Sequence, residues 1–291
     1  MDWFDKRLEV AVPAGWSATE TLTATGPDGS TVIAECGPVA PGVTVEAYLA
    51  TQRQEATRHL ANLVDSGVDG TRGYPSDGLA WLTWTFTGAL TGTASTTRVQ
   101  RCAVSGGRAW RITGTPGAGT SPDLDSGSDV ASVFAQILVR PRPWAGQGWL
   151  PRTIDLIAPA SWTVTEAVHI ASADHALTLT VRSEQVAPTV STADFAAARA
   201  HRAVAGEGLQ QHGFGDWMRP DHRRIPLGEY TRGGPDGVRQ FRGWYAGAGR
   251  GYVATATMPD RLAATRRETL LWVILNGFLI RSWPPELFGQ P

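Results

Sequence analysis

Histidines and carboxylates that could support acid–base or metal chemistry gather in one stretch of the second half of the chain. Imidazole and carboxylate side chains are common general acids, general bases and zinc ligands. The residues are His212, Asp216, Asp221, His222 and Glu229. Their spacing matches no compact ligand motif such as HExxH or CxxC, and the first half has no equivalent histidines. Glycine, aromatic and arginine residues surround them, which is typical of a loop between a helix and a sheet. We therefore predict no metal site and no catalytic residue.

A glycine motif, Gly247-x-Gly249-x-Gly251, resembles part of a dinucleotide-binding loop. Such a loop follows a strand and opens a helix, whose N-terminus holds the pyrophosphate. The residues that follow, 252–257, instead have the composition of a strand. The motif therefore predicts a hairpin turn, and no cofactor is expected.

The sequence offers no obvious nucleophile. Cys36 and Cys102 lie in strand-like sequence without a neighbouring histidine that would lower a thiol pKa, and no GxSxG motif presents a serine. Buried free thiols are favoured, while a disulfide between the two cysteines stays open. We therefore predict that the protein is not an enzyme.

Composition narrows the classes of partner and the location. The 291 residues carry a formal net charge of −1, which argues against nucleic acid or an acidic lipid surface as the main partner. The first six residues lack the basic and apolar regions of a signal peptide. The longest apolar stretch, residues 270–275, is much shorter than the ~20 residues of a membrane helix. We therefore predict a cytoplasmic protein.

An internal repeat organises the chain. Pro13-Ala-Gly-Trp16 is echoed by Pro159-Ala-Ser-Trp162, and each motif leads into alternating Thr, Ala and Val residues. Residues 44–49 and 191–195 each open a helical stretch about thirty residues later. Ser191-x-x-Asp194 is typical of a capping box, which satisfies free backbone donors at a helix start.

Strands and a closing helix follow in each copy. Residues 79–86 alternate clearly, with Leu82, Trp84 and Phe86 on one face. The fold class predicted is α+β, as two tandem copies of a domain with an antiparallel sheet covered on one face by helices. The predicted ranges are 1–140 for the first domain, 141–151 for a linker that packs, and 152–291 for the second domain.

Tryptophan is unusually frequent, with twelve in the chain. Because the strand 79–86 has aromatic side chains on both faces, one face is expected to be covered by something other than water. The two domains could bury that face against each other as a pseudo-dimer, or the face could hold a client. The predicted client-binding residues are Trp81, Thr83, Trp84, Gln100, Trp110, Gln240 and Trp244.

The Pro-Ala-Gly-Trp16 and Pro-Ala-Ser-Trp162 motifs, with the order of the elements after them, resemble the PsbP-like/DcrB-like family. The resemblance covers nearly the whole chain, twice. It implies kinship with photosystem accessory proteins, bacterial lipoproteins and Eag-type secretion chaperones, the last of which shield transmembrane-like helices of toxic effectors. The tandem copies resemble a covalent version of such a chaperone dimer. The family offers no catalytic residues to carry over.

Three hypotheses for function follow. The first is a chaperone or adaptor that shields apolar helices of a protein client, such as a secreted toxin, in a sheet-lined groove. The second is an accessory subunit that docks stably on a larger complex. The third is an enzyme that uses the group around His212 and His222.

Overall fold

The computed structural model describes residues 2–4, 8–72, 78–89, 94–117, 129–142, 144–219, 224–233 and 237–280. The strands in chain order are β1 Asp2–Trp3, β2 Leu8–Val12, β3 Ser17–Thr25, β4 Thr31–Pro38, β5 Ala61–Arg72, β6 Ala80–Ala89, β7 Thr96–Ser105, β8 Arg108–Thr115, β9 Leu138–Val139, β10 Gly148–Trp149, β11 Ile154–Asp155, β12 Ile157–Ala158, β13 Thr163–Ala171, β14 Thr178–Gln185, β15 Gln210–Met218, β16 Arg224–Arg232, β17 Val238–Gly247, β18 Arg250–Pro259 and β19 Phe278–Ile280. The helices are α1 Val45–His59, α2 Asp129–Ala135, α3 Thr192–Glu207 and α4 Ala263–Asn276, with a 3-10 turn at Asp260–Leu262. The α+β class with antiparallel sheets is confirmed.

The chain divides into two compact units that differ from the predicted ranges. The first unit comprises Met1–Asp5, Thr19–Pro143 and Pro151–Val164, and the second comprises Lys6–Ala18, Trp144–Leu150 and Thr165–Pro291. Simple cuts at residues 140 and 152 do not reproduce these units, because short segments near each predicted domain start are grouped with the other unit. The predicted linker includes β10, which pairs with β2 in the second unit.

In the first unit the strands lie in the order β3-β4-β8-β7-β6-β5. Helix α1 begins at Thr44, whose hydroxyl accepts a hydrogen bond from the Ala47 amide at 3.3 Å, and its Leu49 packs on Trp84 and Phe86. The short helix α2 contributes Val133 to a separate cluster with other strands.

In the second unit the order is β15-β16-β17-β18-β14-β13. The predicted capping residue Ser191 accepts a hydrogen bond from the Asp194 amide at 3.1 Å, so this helix start is confirmed. Helix α3 ends at Gly208, which adopts a left-handed φ of 64° and turns the chain toward β15. The predicted hairpin is also confirmed, because Gly247 pairs with Arg250 across a two-residue turn.

Each sheet carries helices on both faces, whereas the sequence predicted helices on one face only. A side chain added at Gly88 would meet Leu60 beside α1, and one added at Gly114 would meet Phe134 of α2. Strand pairing places these two glycines on opposite faces. In the second unit Gly251 faces Phe195 of α3, and Gly243 faces Ile274 of α4.

Each unit is completed by the Pro-Ala-x-Trp segment of the other half of the sequence. In the second unit β2 pairs with β19 and buries Leu8, Val10 and Val12. In the first unit β11 pairs with β9, and β12 with β1. Ile154, Leu156, Ala158 and Trp162 belong to its core.

A buried glutamate holds each of these segments. Glu20 and Glu166 each lie four residues after the tryptophan of their motif, and both are less than 2% exposed. Glu166 accepts a hydrogen bond from the Leu8 amide at 3.3 Å, and Glu20 accepts one from the Thr153 hydroxyl at 3.3 Å. A buried carboxylate needs such partners, because the interior offers no water in their place.

Candidate functional site

The four tryptophans predicted to form a client groove lie in the cores of the two units. Trp84 is fully buried and stacks on Phe86 with ring centroids 3.8 Å apart, on the face that α1 covers. Trp81 and Trp110 belong to the cluster on the opposite face, and Trp244 lies within the cluster below α3. All four side chains are at most 6% exposed, and their role in client binding stays a prediction. The aromatic residues on both faces of β6 have a simple cause: each face contributes to a hydrophobic cluster, one under α1 and one shared with neighbouring strands and α2.

The polar members of the predicted set are divided between buried and half-exposed positions. Gln100 is buried and donates a hydrogen bond to the Cys102 sulfur at 3.3 Å. Thr83 is half-buried on the face opposite Trp84. Gln240 is half-buried and accepts a hydrogen bond from the Arg242 Nη2 at 2.8 Å. Of the predicted residues, Thr83 and Gln240 retain accessible surface.

The predicted histidine–carboxylate group does not share hydrogen-bond partners. His212 lies on β15, with its Nε2 2.6 Å from the Thr231 hydroxyl. Glu229 binds Arg239 and Arg267, and these bonds lower its pKa although burial acts in the opposite direction. Asp221 and His222 lie outside the described residues. Across the described ranges no group of three His, Cys, Asp or Glu side chains could hold a metal ion.

Both cysteines are buried, and neither forms a disulfide. Burial raises the pKa of the Cys102 thiol to about 11, so it is a poor nucleophile near neutral pH. No described helix is both long and apolar enough to cross a membrane.

The edge strand β15 presents large apolar side chains to solvent. Phe214, Trp217 and Met218 are 49%, 38% and 52% exposed. Among the described strands β15 pairs only with β16, so its second edge has unpaired backbone groups. The sequence predicted a loop for residues 213–220, because of the glycine and aromatic residues there and the arginines that follow. An exposed edge with apolar side chains is a ready site for an added strand.

The corresponding edge of the first unit, β5, is built differently. Its pairing with β6 shifts register twice, between Ala61 and Val64 and between Asp65 and Gly67, whereas the pairing of β15 with β16 shifts once, between Gln211 and Gly213. Asp65 binds Arg53 and accepts a hydrogen bond from the Trp84 indole at 3.1 Å. Bulges and charges of this kind discourage strand addition. Of the two edges, β15 is the better docking surface.

A polar face adjoins this edge in the second unit. One cross-strand row passes from Phe214 through Gly228, Arg242 and Thr255 to Thr180. Directly opposite residues on neighbouring strands share one face of the sheet, so the row runs inward from the exposed edge over the side that carries α3. The sequence reasoning missed this surface because its residues come from five separate strands.

Comparison with known proteins gives only distant structural likeness. No protein-family model matches the chain, and no curated protein matches it. It is similar to the apo structure of the immunity protein TplEi of T6SS from Pseudomonas aeruginosa, with 12% identity, a TM-score of 0.44 and coverage of 97% of this chain and 98% of that one. The structure of the same protein in complex with "L" peptide is 10% identical, with a TM-score of 0.43 and coverage of 96% of this chain and 98% of that one. The matching chain in the crystal structure of the Tle4-Tli4 complex is 11% identical, with a TM-score of 0.45 and coverage of 97% of this chain and 99% of that one. At these scores and identities the likeness establishes neither a shared fold nor a shared function.

Proposed function

We propose that this protein binds another polypeptide, and that an extended segment of the partner adds to β15 as a further strand. The observation that carries the proposal is the exposed edge with Phe214, Trp217 and Met218. Main-chain hydrogen bonds along the edge would supply affinity, and pockets for alternate side chains would supply specificity. Register places Phe214 and Met218 on one face of β15 and Trp217 on the other. Apolar side chains on both faces would cover an added strand from both sides.

A chaperone or adaptor for a secreted effector is the finer form of this proposal. It keeps the sequence-based hypothesis that an apolar segment is shielded, but holds that segment extended at an edge. The aromatic residues predicted to receive an apolar helix are in the core, which favours the edge. Cytoplasmic location stays a prediction.

The accessory-subunit hypothesis uses the same edge with a permanent partner. It differs in kinetics: a chaperone exchanges its client, whereas an accessory subunit does not. Residence times of a labelled bound peptide, measured by competition with unlabelled peptide, separate the two.

The decisive experiment selects peptides from a displayed library of extended apolar sequences on the full chain. Trp217→Lys should abolish binding of the selected peptides, because a charge on an edge strand opposes strand addition. Trp272→Lys is the matched control, since Trp272 is 58% exposed on α4 of the same unit. The control should bind peptides as the unmodified chain does.

Two results would contradict the proposal. One is a library in which no peptide is enriched. The other is equal loss of binding in both variants, which would point to general stickiness of exposed tryptophan. Hydrogen exchange on β15 amides provides a direct check, because peptide addition should protect them and leave β5 amides unchanged.

A further inference from the structure

A cavity of about 280 Å³ opens on the polar face of the second unit. It is lined by Thr180, Arg182, Glu207, Arg242, Val253 and Thr255. Sites that hold a whole small molecule usually measure about 300–1,000 Å³. At the lower end of this range, the cavity has room for a side chain or a small acid, and its charges decide which group it favours.

One carboxylate already occupies part of this environment. Arg242 Nη1 and Nη2 donate to the two Glu207 carboxylate oxygens at 2.9 and 2.6 Å. The fork of a guanidinium matches the two oxygens of a carboxylate, and the bonds lower the pKa of Glu207. The local chemistry is thus already arranged for carboxylate recognition.

Positive charge exceeds negative charge here. Arg182 and Arg232 also act on Glu207 electrostatically, and Arg232 Nη2 donates to the Glu207 backbone carbonyl at 3.3 Å. Three guanidinium groups thus surround one carboxylate. Arg182 is exposed, and its guanidinium donates no hydrogen bond to a described residue. Its charge is therefore available to an incoming anion.

The cavity lies on the same face of the sheet as Phe214 of the edge strand. Arg242 and Phe214 occupy one cross-strand row with Gly228 between them, which places their strands about 10 Å apart. Glu207 is the last residue of α3, and β15 begins three positions later at Gln210. Arg182 lies on β14, two strands beyond Arg242 and about 20 Å from β15. A partner that lies over this face of the sheet can therefore contact the edge strand and the cavity together.

We infer that this cavity receives the carboxylate of an acidic side chain from a partner polypeptide, with Arg182 as its main cationic contact. The identity of the partner as a polypeptide rests on the proposed function. The Thr255 hydroxyl can donate a further hydrogen bond to the same group, whereas the Thr180 hydroxyl lies 2.9 Å from His169 Nδ1.

The test uses a probe too short to need the edge strand: the tripeptide Ala-Glu-Ala, blocked at both ends, against the isosteric Ala-Gln-Ala. Binding to the full chain is followed by NMR titration at low ionic strength, because salt screens surface charges. We expect only the glutamate probe to bind. Arg182→Gln should weaken it at least tenfold, while Arg202→Gln, the same charge change on the exposed side of α3, should leave it unchanged.

A change of opposite sign sharpens the test. Glu207→Gln removes the resident carboxylate and frees the Arg242 fork, so the glutamate probe should bind more tightly. Equal binding of the two tripeptides, or no effect of Arg182→Gln, would overturn the inference.

A parallel titration with citrate identifies the source of the carboxylate. Binding of citrate without binding of the glutamate tripeptide would mean a free small acid, and would also overturn it. Because the tripeptide does not depend on β15, Trp217→Lys should leave its binding intact. The outcomes of the two proposals are therefore distinguishable.

Discussion

Each unit has its own buried glutamate after the motif tryptophan, Glu20 or Glu166, but the two units differ at a nearby surface position. Five residues after the motif tryptophan, Thr21 pairs with Glu35 in the first unit, and Ala167 pairs with Arg182 in the second. Across the next strand Glu35 faces Arg111, whose Nε donates to it at 2.8 Å. The same place beside Arg182 holds Val253.

The first unit therefore has an ion pair at this place, and the second has an arginine beside a valine. Arg111 also binds Gln52 of α1, so the first unit satisfies its charges internally. The second unit leaves Arg182 without an acceptor among the described residues. Equivalent positions on similar sheets therefore carry different chemistry, and only the second offers a cation to a partner. The edges also differ, since β5 has two register shifts and an Arg53–Asp65 ion pair, while β15 has one shift and exposes larger apolar side chains.

The largest expected effect tests whether each unit is completed by a segment from the other half of the sequence. Val10→Asp near the chain start should unfold the second unit, and Leu156→Asp should unfold the first, because each places an unpaired charge in a core. A loss of more than about 4 kcal/mol is expected for either. Hydrogen-exchange mass spectrometry, read separately for residues 19–142 and 165–280, identifies which unit loses protection first.

Val64→Asp is the matched control, because Val64 is 60% exposed on β5. It should change the free energy of unfolding by no more than about 0.5 kcal/mol. If Val10→Asp exposed the first unit before the second, residues 6–18 would not belong to the second unit, contrary to the structure.

An intermediate effect tests the two buried glutamates. Glu166→Ala leaves the Leu8 amide without this acceptor, and Glu20→Ala does the same to the Thr153 hydroxyl. Each should lower the free energy of unfolding by about 1–3 kcal/mol, measured by urea denaturation. Glu55→Ala on the exposed side of α1 should have almost no effect. Similar stability of all three variants would show that the glutamates do not anchor the segments.

The smallest effect concerns acid. The bonds from Arg242 lower the pKa of Glu207 below its usual 4.5, so the ionised group stabilises the folded state above that pH. The contribution is lost as pH falls through the lowered folded-state pKa. Glu207→Gln should therefore be less stable than the unmodified chain at pH 7, and the gap should close on acidification. Because Glu207 is 38% exposed, the gap should be small. Urea midpoints across this range measure it, and a gap independent of pH would contradict the assignment.

Strands with one patterned face could be predicted from the sequence, and strands without one could not. Leu82, Trp84 and Phe86 alternate because β6 packs against α1. The strand and the residues that share this face could therefore be predicted. Strand β15 is exposed along its length and rich in glycine, so no burial pattern marks it.

Local sequence could not predict that residues 6–18 complete the second unit and residues 151–164 complete the first, which we call the exchanged segments. Leu8, Val10 and Val12 repeat the buried pattern of Ile154, Leu156 and Ala158, so either segment has the side chains to complete either unit. The cavity was also hidden, because Arg182, Glu207 and Arg242 meet only after three elements fold together. The resemblance to PsbP-like/DcrB-like proteins stays a prediction.

The exchanged segments set an order for folding during synthesis. The first unit cannot finish its core when residue 143 leaves the ribosome, because Ile154 and Leu156 have not yet emerged. At about 5–20 residues per second, the nascent chain waits for roughly another second or more. Strand β2 waits much longer, since its neighbour β19 lies at 278–280. Val12 can meet β10 once residues 148–149 emerge, but Leu8 and Val10 lack their β19 partners until residues 278–280 follow. Their apolar side chains therefore need protection from aggregation for the longest time.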